Sequence, residues 1–198
     1  MNPAGAAFFD RDGILNELVY YADWGEMESP RDPLALRVRE GVAEALRELT
    51  DAGWRLFLVS NQPSYAKGKT SLQNLKAVHA RLEEHLAQRQ IHFVEALYCY
   101  HHPAGVVAGV SGECSCRKPK PGLLLEAASK HNLDLSACWM VGDQDSDVEC
   151  GRAAGARTIL VPNEHSAAKC GRSSPNVIAP DLTAAVRVIL QQQESTAS

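Results

Sequence analysis

The sequence has no surplus of positive charge, since 20 Lys and Arg residues stand against 24 Asp and Glu residues and give a net charge of -4. This balance disfavours a nucleic-acid-binding module, which needs a basic surface to hold phosphodiester backbones. The chain also lacks an apolar run near the roughly 20 residues of a membrane span, and it does not start with a basic segment followed by a long apolar core. We therefore expect a cytoplasmic protein that binds neither nucleic acid nor membranes.

The cysteines do not have the arrangement of a disulfide-rich secreted domain. There are six in 198 residues, and Cys138, Cys150 and Cys170 lie in segments with a buried or helical pattern. A reducing compartment therefore fits better than an oxidising one. Hydrophobic residues make up 45% of the chain, which is enough for a real core. We expect a single domain over residues 1–198, with a disordered tail at residues 193–198.

Short apolar runs alternate with helical patterns along the chain, which is typical of βαβ units and a parallel sheet. The sequence thus predicts an α/β fold, a Rossmann-like parallel sheet with helices on both faces. The predicted strands are 6–9, 54–60, 93–98, 137–142, 157–162 and 176–179, and the predicted helices are 42–49, 72–89, 121–132, 147–156 and 182–193.

The least regular segment covers residues 15–39 and contains YYADWGEMESPRDP. Aromatic residues, acids and two prolines alternate there without a clear period. We interpret this segment as a surface flap, with Tyr20, Tyr21 and Trp24 placed to close over a ligand.

Carboxylates follow two of the predicted strands. FFDRDG places Asp10 and Asp12 after the first strand, and GDQDSD places Asp143 and Asp147 after a later one. Because ligands bind at the carboxyl ends of strands in open parallel sheets, these side chains should converge with Ser60. So many acids repel one another unless a cation neutralises them, and oxygen ligands suit Mg²⁺. The alternative is that each Asp only forms a turn or caps a helix.

A second group of ligands stands at residues 99–116, a segment rich in glycine. Cys99-x-His101 and Cys114-x-Cys116 supply three thiols and an imidazole, a full tetrahedral set for structural Zn²⁺. Such a zinc loop would fix the position of Lys118, which follows it. A disulfide or unconnected buried cysteines are the alternatives, and His102 competes with His101 as the fourth ligand.

The motifs DRDG, Ser60 after the second strand, Lys118 before a helix, and GDQDSD resemble the four motifs of haloacid dehalogenase superfamily phosphatases. The resemblance implies a haloacid dehalogenase-like fold in which Asp10 attacks phosphorus and Asp12 acts as acid and base. It also implies that Ser60 and Lys118 hold the phosphoryl group. The implied ligands of catalytic Mg²⁺ are the Asp10 and Asp143 carboxylates and the Asp12 backbone carbonyl. Asp147 would orient Lys118 or the metal's waters.

Within that superfamily, CYHH and CSCRKPKPG make the chain look like the heptose bisphosphate phosphatases of the histidinol-phosphatase group, which lack a large cap. That resemblance covers about residues 6–161. It implies an enzyme that removes the 7-phosphate of a heptose 1,7-bisphosphate in surface polysaccharide synthesis, and we expect it to be a monomer. Histidinol phosphate or another small phosphomonoester is the alternative substrate. Arg117 would recognise the distal part of the substrate, and Asn61 and Gln62 would line the phosphate side.

The chain departs from that group's usual motifs beside the phosphate-binding residues. SNQPSYAKG replaces TNQSG followed by Ala-Arg-Gly, which introduces Pro63, Ser64 and Lys67, and Ile14 replaces the commoner Thr. The flap is also longer than usual. These departures make the reaction type better defined than the substrate.

Two non-enzymatic alternatives fit less well. A phosphorylated receiver domain has no use for a zinc loop, and a zinc-dependent nucleic-acid module does not match the acidic charge.

Overall fold

The computed structural model describes residues 5–196, with side chains through residue 192, and is built around a six-stranded parallel sheet. The strands of this sheet are β1 Ala6–Phe9, β4 Arg55–Asn61, β5 Glu95–Cys99, β6 Trp139–Gly142, β7 Arg157–Leu160 and β8 Val177–Ile178. Their spatial order is β5-β4-β1-β6-β7-β8, with every neighbouring pair parallel. The predicted α/β fold is therefore confirmed.

Helices cover both faces of this sheet because side chains of each buried strand alternate between the faces. In β1, Ala7 and Phe9 pack with residues of α1, α2 and α5, whereas Ala6 and Phe8 pack with residues of α3 and α4. The helices are α1 Val42–Asp51, α2 Leu72–Ala87, α3 Gly122–His131, α4 Asp145–Ala154 and α5 Leu182–Thr196.

Most predicted boundaries lie within two residues of the observed ones. The exception is α5, which continues to Thr196, so the predicted disordered tail is helical as far as that residue. The run of Gln and Glu after residue 190 has good helix propensity and carries no stop signal, which explains the extension. Residues 197–198, the rest of that prediction, lie outside the described residues. Among the described helices, none combines the length and apolarity needed to cross a membrane.

The flap leaves the sheet after β1 and contains a two-stranded antiparallel hairpin, β2 Val19–Tyr21 and β3 Glu26–Glu28. This regular structure was not predicted. The two ends of the flap meet, because Glu17 N donates to Arg37 O at 2.9 Å and Arg39 N donates to Leu15 O at 3.0 Å. The flap is therefore a closed excursion whose base is hydrogen bonded next to the end of β1.

Candidate active site

The floor of the candidate site is a buried lysine between two carboxylates. Lys118 Nζ lies 2.7 Å from Asp10 Oδ1 and 2.7 Å from Asp147 Oδ1, and it donates to Val59 O at 2.9 Å. Asp10 follows β1, Asp147 lies in the first turn of α4, and Lys118 precedes α3. Gly142 makes room for this arrangement, because a Cβ there would lie 2.2 Å from Asp147 Cβ. Three separate elements thus meet as the sequence predicted.

Asp143 follows β6 and completes a cluster of carboxylates. Ligand atoms of Asp10, Asp143 and Asp147 lie within 4.8 Å of one another. Asp143 Oδ2 accepts a hydrogen bond from Asn163 Nδ2 at 3.0 Å, whereas the buried Oδ1 has no hydrogen-bond partner among the described residues. Gly13, at a φ of 90°, admits the close approach of Asp143, since a Cβ there would lie 2.5 Å from Oδ2. A buried, unpartnered carboxylate oxygen beside other carboxylates fits a divalent cation such as Mg²⁺.

Two of these carboxyl groups have raised pKa values because they are buried. Burial raises the pKa of Asp10 to about 6, although the Lys118 ammonium opposes the rise. Burial and the neighbouring charges of Asp10 and Asp147 raise the pKa of Asp143 to about 8. A bound divalent cation would stabilise the ionised forms and reverse this effect. The electrostatics therefore agree with the geometry of a cation site.

Asp147 is less available than Asp10 and Asp143 as a metal ligand. Its Oδ1 faces Lys118, and its Oδ2 accepts a hydrogen bond from Gln144 N at 3.0 Å in a capping box at the start of α4. Both oxygens are thus engaged. Of the two roles that the resemblance implied for Asp147, the geometry favours the contact with Lys118.

Asp12 lies in a different environment, surrounded by hydrogen-bond donors. Its Oδ1 accepts hydrogen bonds from Arg11 Nε at 3.2 Å, Arg11 Nη2 at 3.1 Å and Asn16 Nδ2 at 3.0 Å. Its Oδ2 accepts from Gln62 Nε2 at 2.5 Å and from the Ser60 hydroxyl at 3.5 Å. The carboxylate is therefore held in one orientation from both sides.

The residues that end β4 face different ways. Asn61 lines the cavity, and its side chain makes two 3.0 Å hydrogen bonds with the backbone N and O of Lys118. Ser60 and Gln62 are almost fully buried and bond to each other at 3.0 Å. Because Gln62 is fully buried and is not among the described residues that line the cavity, its predicted direct contact with substrate is corrected. Its amide holds those two side chains, and Asn61 fixes the backbone of Lys118.

The predicted zinc ligands form one cluster. Cys99 Sγ lies 3.6 Å from Cys114 Sγ and 2.9 Å from Cys116 Sγ, and His101 Nδ1 lies 3.5 Å from Cys116 Sγ. All six cysteines are free thiols, so the disulfide alternative is not present. The His102 ring instead accepts a hydrogen bond from Ala104 N at 3.1 Å. Sulfur ligands at about 2.3 Å from a tetrahedral zinc lie somewhat farther apart than Cys99 and Cys116 do here, but the donor set and its size are compatible with zinc.

A cavity of about 610 Å³ opens above the floor. Arg117 lines it as predicted, together with Pro63, Ser64 and Lys67 from the altered motif after β4. The flap contributes Leu18, Glu26, Met27, Glu28 and Ser29. The predicted aromatic residues of the flap do not line the cavity. Tyr20 and Trp24 are exposed, and Arg31 lies over the Tyr21 ring with 3.9 Å between Cζ and the ring centroid.

The loop after β7 was not predicted to take part in the site. Asn163 donates to Asp143, and His165 and Lys169 line the cavity. The loop is anchored by Asp145, whose carboxylate accepts hydrogen bonds from the backbone N–H groups of residues 171–173. No motif marks these residues. The sequence signal that could have indicated their role is the position of the loop after another parallel strand, at the edge of the sheet where ligands bind.

Comparison with known proteins agrees with this geometry. A family model described as HAD-hydrolase-like matches residues 115–185. The chain is 39% identical over 202 residues to the D-glycero-D-manno-heptose-1,7-bisphosphate 7-phosphatase of Thermosynechococcus vestitus, covering 94% of this chain and 96% of that protein. It is 33% identical to the D-glycero-beta-D-manno-heptose-1,7-bisphosphate 7-phosphatase of Pseudomonas aeruginosa, covering 92% and 96%.

A solved structure is similar over nearly the whole chain. It is the crystal structure of a D,D-heptose 1,7-bisphosphate phosphatase from B. bronchiseptica complexed with magnesium and phosphate, with 27% identity and a TM-score of 0.79. The similarity covers 95% of this chain and 99% of that chain.

Proposed function

The chain belongs to the family of D-glycero-D-manno-heptose 1,7-bisphosphate 7-phosphatases, and on that premise we propose that it removes the 7-phosphate of this bisphosphate in a Mg²⁺-dependent reaction. The product would be the heptose 1-phosphate from which activated heptose for surface polysaccharide is made. The observation that carries the proposal is the buried floor, where Lys118 lies 2.7 Å from Asp10 beside an unpartnered oxygen of Asp143.

The reaction proceeds in two displacements at phosphorus. An Asp10 carboxylate oxygen attacks the 7-phosphate, the bond between phosphorus and the C7 oxygen breaks, and Asp12 gives that oxygen its proton. A water molecule then attacks the aspartyl phosphate while Asp12 takes a proton from the water. The P–O bond to Asp10 breaks, and inorganic phosphate leaves. Both Asp10 and Asp12 regain their starting states.

The charge on the transferring phosphoryl group is balanced by fixed groups. Lys118 is held by two carboxylates, and its backbone is fixed by Asn61. Such preorganised charge supplies much of the catalysis in phosphoryl transfer. Ser60 would bind a phosphoryl oxygen after Gln62 and Asp12 adjust around it. The Asp10 and Asp143 carboxylates and the Asp12 carbonyl would hold Mg²⁺, which would supply positive charge to offset the charge of the phosphate.

We further propose that Cys99, His101, Cys114 and Cys116 bind structural zinc. The four ligands come from the two ends of a Gly-rich loop, and Arg117 and Lys118 follow directly after the last of them. Filling all four positions with protein ligands leaves none for catalysis. The role of the metal is thus to fix the loop that carries the phosphate-binding lysine.

The distal end of the substrate would lie between Arg117 and the flap, since both line the cavity above the floor. A planar guanidinium can bind the 1-phosphate or sugar hydroxyls through two hydrogen bonds. Histidinol phosphate is the second candidate because Glu26 and Glu28 also line the cavity and would suit its ammonium group. It ranks lower since Lys69 and Arg31 already neutralise these acids.

We also propose that the protein works as a monomer in the cytoplasm. The six free cysteines support a reducing compartment. The catalytic groups named above all come from one chain, so a second copy is not needed to complete the site. Gel filtration with light scattering tests the oligomeric state.

The deciding experiment is phosphate release from both anomers of heptose 1,7-bisphosphate and from histidinol phosphate, with and without Mg²⁺. Selective release from one heptose anomer, lost in Asp10→Asn, is the expected result. Asp134→Asn is the matched control, because that carboxylate only caps a distant turn. Preference for histidinol phosphate would keep the mechanism and overturn the substrate. No release from any of them by protein shown to contain zinc would contradict the proposal.

A further inference from the structure

A fully buried arginine separates the two aspartates of the first motif. Arg11 has 0% of its surface exposed, and its Nη1 has no hydrogen-bond partner among the described residues. Burying a guanidinium is costly, and a buried ion pair often adds no net stability compared with apolar residues of similar size. Stability alone therefore does not account for an arginine at this place.

The guanidinium of Arg11 is positioned from two directions. On one side Nε and Nη2 both donate to Asp12 Oδ1, at 3.2 and 3.1 Å. On the other side its Cζ lies 5.6 Å from the ring centroid of Tyr98, on β5. The Tyr98 hydroxyl hydrogen bonds to His79 Nδ1 at 3.0 Å, which links the ring to α2. Arg11 is thus held between the site and two elements of the scaffold.

The contacts of Asp12 are unequal at its two oxygens. Oδ1 accepts three hydrogen bonds, two from Arg11 and one from Asn16, which fill its lone-pair directions. Oδ2 accepts one short hydrogen bond, from Gln62 Nε2 at 2.5 Å, and lies 3.5 Å from the hydroxyl of Ser60, the residue expected to bind the phosphoryl group. Oδ2 therefore has fewer donors than Oδ1 and is the oxygen with room for a substrate oxygen.

We propose that Arg11, assisted by Asn16, is a positioning residue that holds Asp12 by Oδ1 so that Oδ2 exchanges the proton with the substrate oxygen. The inference rests on the proposed function, because it assigns a partner to the acid and base of that reaction. An acid must lie within hydrogen-bond reach of the atom it protonates. A misplacement of about 1 Å can cost about 100-fold in rate, so the orientation of this carboxylate matters.

The test uses leaving groups that differ in their need for an acid. A sugar alkoxide needs a proton to leave, whereas 4-nitrophenolate leaves without one. The value of kcat/KM reports the first displacement for both substrates. We expect Arg11→Met to lower kcat/KM for the sugar phosphate about 10- to 100-fold more than for 4-nitrophenyl phosphate. Arg11→Lys, which keeps the charge but not the paired donors, should recover part of that difference.

Arg55→Met is the matched control. Arg55 also lies against an aromatic ring, Phe57, with its Nη1 donating to a backbone carbonyl, but it does not contact Asp12. Its ratio of kcat/KM values should equal that of the wild type. Asn16→Ala should also lower kcat/KM more for the sugar phosphate than for 4-nitrophenyl phosphate, by a smaller factor than Arg11→Met. If Arg11→Met does not fold, Asn16→Ala and Arg11→Lys provide the test.

Equal losses for the two substrates in the folded variants would overturn the inference, since a merely structural arginine would affect both alike. The sugar phosphate is whichever one the wild-type protein hydrolyses best. A wild-type protein inactive toward heptose bisphosphate therefore contradicts the proposed function and leaves the ratio measurable.

Discussion

Two lysines in this protein each bridge two carboxylates, one at the floor of the site and one at its rim. Lys118 lies 2.7 Å from both Asp10 and Asp147, and the exposure of the three side chains is 9% or less. Lys69 lies 2.5 Å from Glu28 and 3.2 Å from Glu26, but the Glu26 side chain is 58% exposed. The chemical groups are the same, and the access of water differs.

The pKa values of the acids shift in opposite directions at the two places because of this difference in access to water. At the floor, burial outweighs the Lys118 ammonium and raises the pKa of Asp10 to about 6. At the rim, burial of Glu28 is weaker, and the hydrogen bonds from Lys69 and Arg31 lower its pKa to about 2. A lysine bridge thus lowers the pKa of an acid in both places, but the pKa ends below its ordinary value only where burial does not outweigh the bridge. The floor needs a further cation and the rim does not, which agrees with magnesium at the floor alone.

The largest expected effect comes from breaking the floor bridge with Lys118→Met. It removes the charge that faces the phosphoryl group, so kcat should fall by on the order of 1,000-fold or more. Steady-state kinetics on the preferred substrate measure this. Lys120→Met is the control, because that lysine pairs only with the exposed Glu113. If the Lys118→Met variant kept a tenth or more of the wild-type kcat, Lys118 would not be a catalytic residue.

Removing the clamp behind the floor should have the next largest effect. In Cys116→Ser the zinc cluster loses a ligand, Lys118 is held less firmly, and kcat should fall about 100-fold. Metal analysis should show less zinc. Cys138→Ser is the control, since that buried thiol donates to the backbone carbonyl of Asp134 and does not belong to the zinc cluster. Full zinc content and normal kcat in Cys116→Ser would argue against a structural zinc site.

Magnesium should stabilise the folded protein through the acids of the floor, and more strongly at high pH than at low pH. Because the pKa values of Asp10 and Asp143 are raised in the folded protein, their contribution to stability is present below about pH 4 and is lost as the pH rises through about 6 and about 8. Magnesium binds the ionised forms and offsets that loss. At a fixed concentration equal to 100 times its Kd at pH 8.5, magnesium should raise Tm by about 5–10 °C near pH 8.5 and by much less near pH 5.5, where protonation weakens its binding.

Differential scanning fluorimetry at both pH values measures these shifts in Tm. Asp143→Asn should remove the magnesium-dependent rise, and Asp134→Asn should keep it. A rise in Tm that is equal at the two pH values would mean that Asp10 and Asp143 do not release protons when the metal binds.

The smallest effect is expected at the rim. Lys69→Met removes a partly exposed bridge, so the free energy of unfolding should fall by only about 1 kcal/mol near pH 7. Because the pKa of Glu28 is lowered in the folded protein, its contribution to stability is present at pH values above the ordinary pKa of a glutamate. That contribution is lost as the pH falls toward about 2. Urea unfolding at pH 7 and pH 3 measures the change. A fall in the free energy of unfolding of several kcal/mol in Lys69→Met would contradict the prediction, since a loss of that size is typical of a buried ion pair.

The floor could be predicted from the sequence because parallel strands bring their carboxyl ends to one edge. That rule placed Asp10, Asp12 and Asp143 together without knowledge of any contact. Lys118 was located by the resemblance to the superfamily's four motifs, in which a lysine stands before a helix, and the adjacent cysteine motif indicated how its loop is fixed. The fold followed in the same way from alternating apolar segments, whose periods of two and 3.6 residues are local properties.

The rim could not be predicted in the same way. The partners of Lys69 and Arg31 lie about 40 and three residues away in sequence, and no local pattern links the first pair. Arg11 was missed because an arginine after a strand ordinarily reaches solvent, and only tertiary packing shows that it is buried. Asn163 stands in a loop with no motif, so its contact with Asp143 emerges only from the folded chain.

The flap base has a consequence for how this scaffold can be changed. Residues 17 and 37 are joined by a backbone hydrogen bond, and residues 16 and 38 form an antiparallel bridge. The turn between β2 and β3 can therefore change in length while this base holds the chain on either side, because the buried core residue of the segment, Leu36, lies next to the base and not in the hairpin. Exchanging that turn would alter the outer end of the flap and leave the residues at the end of β1 in place.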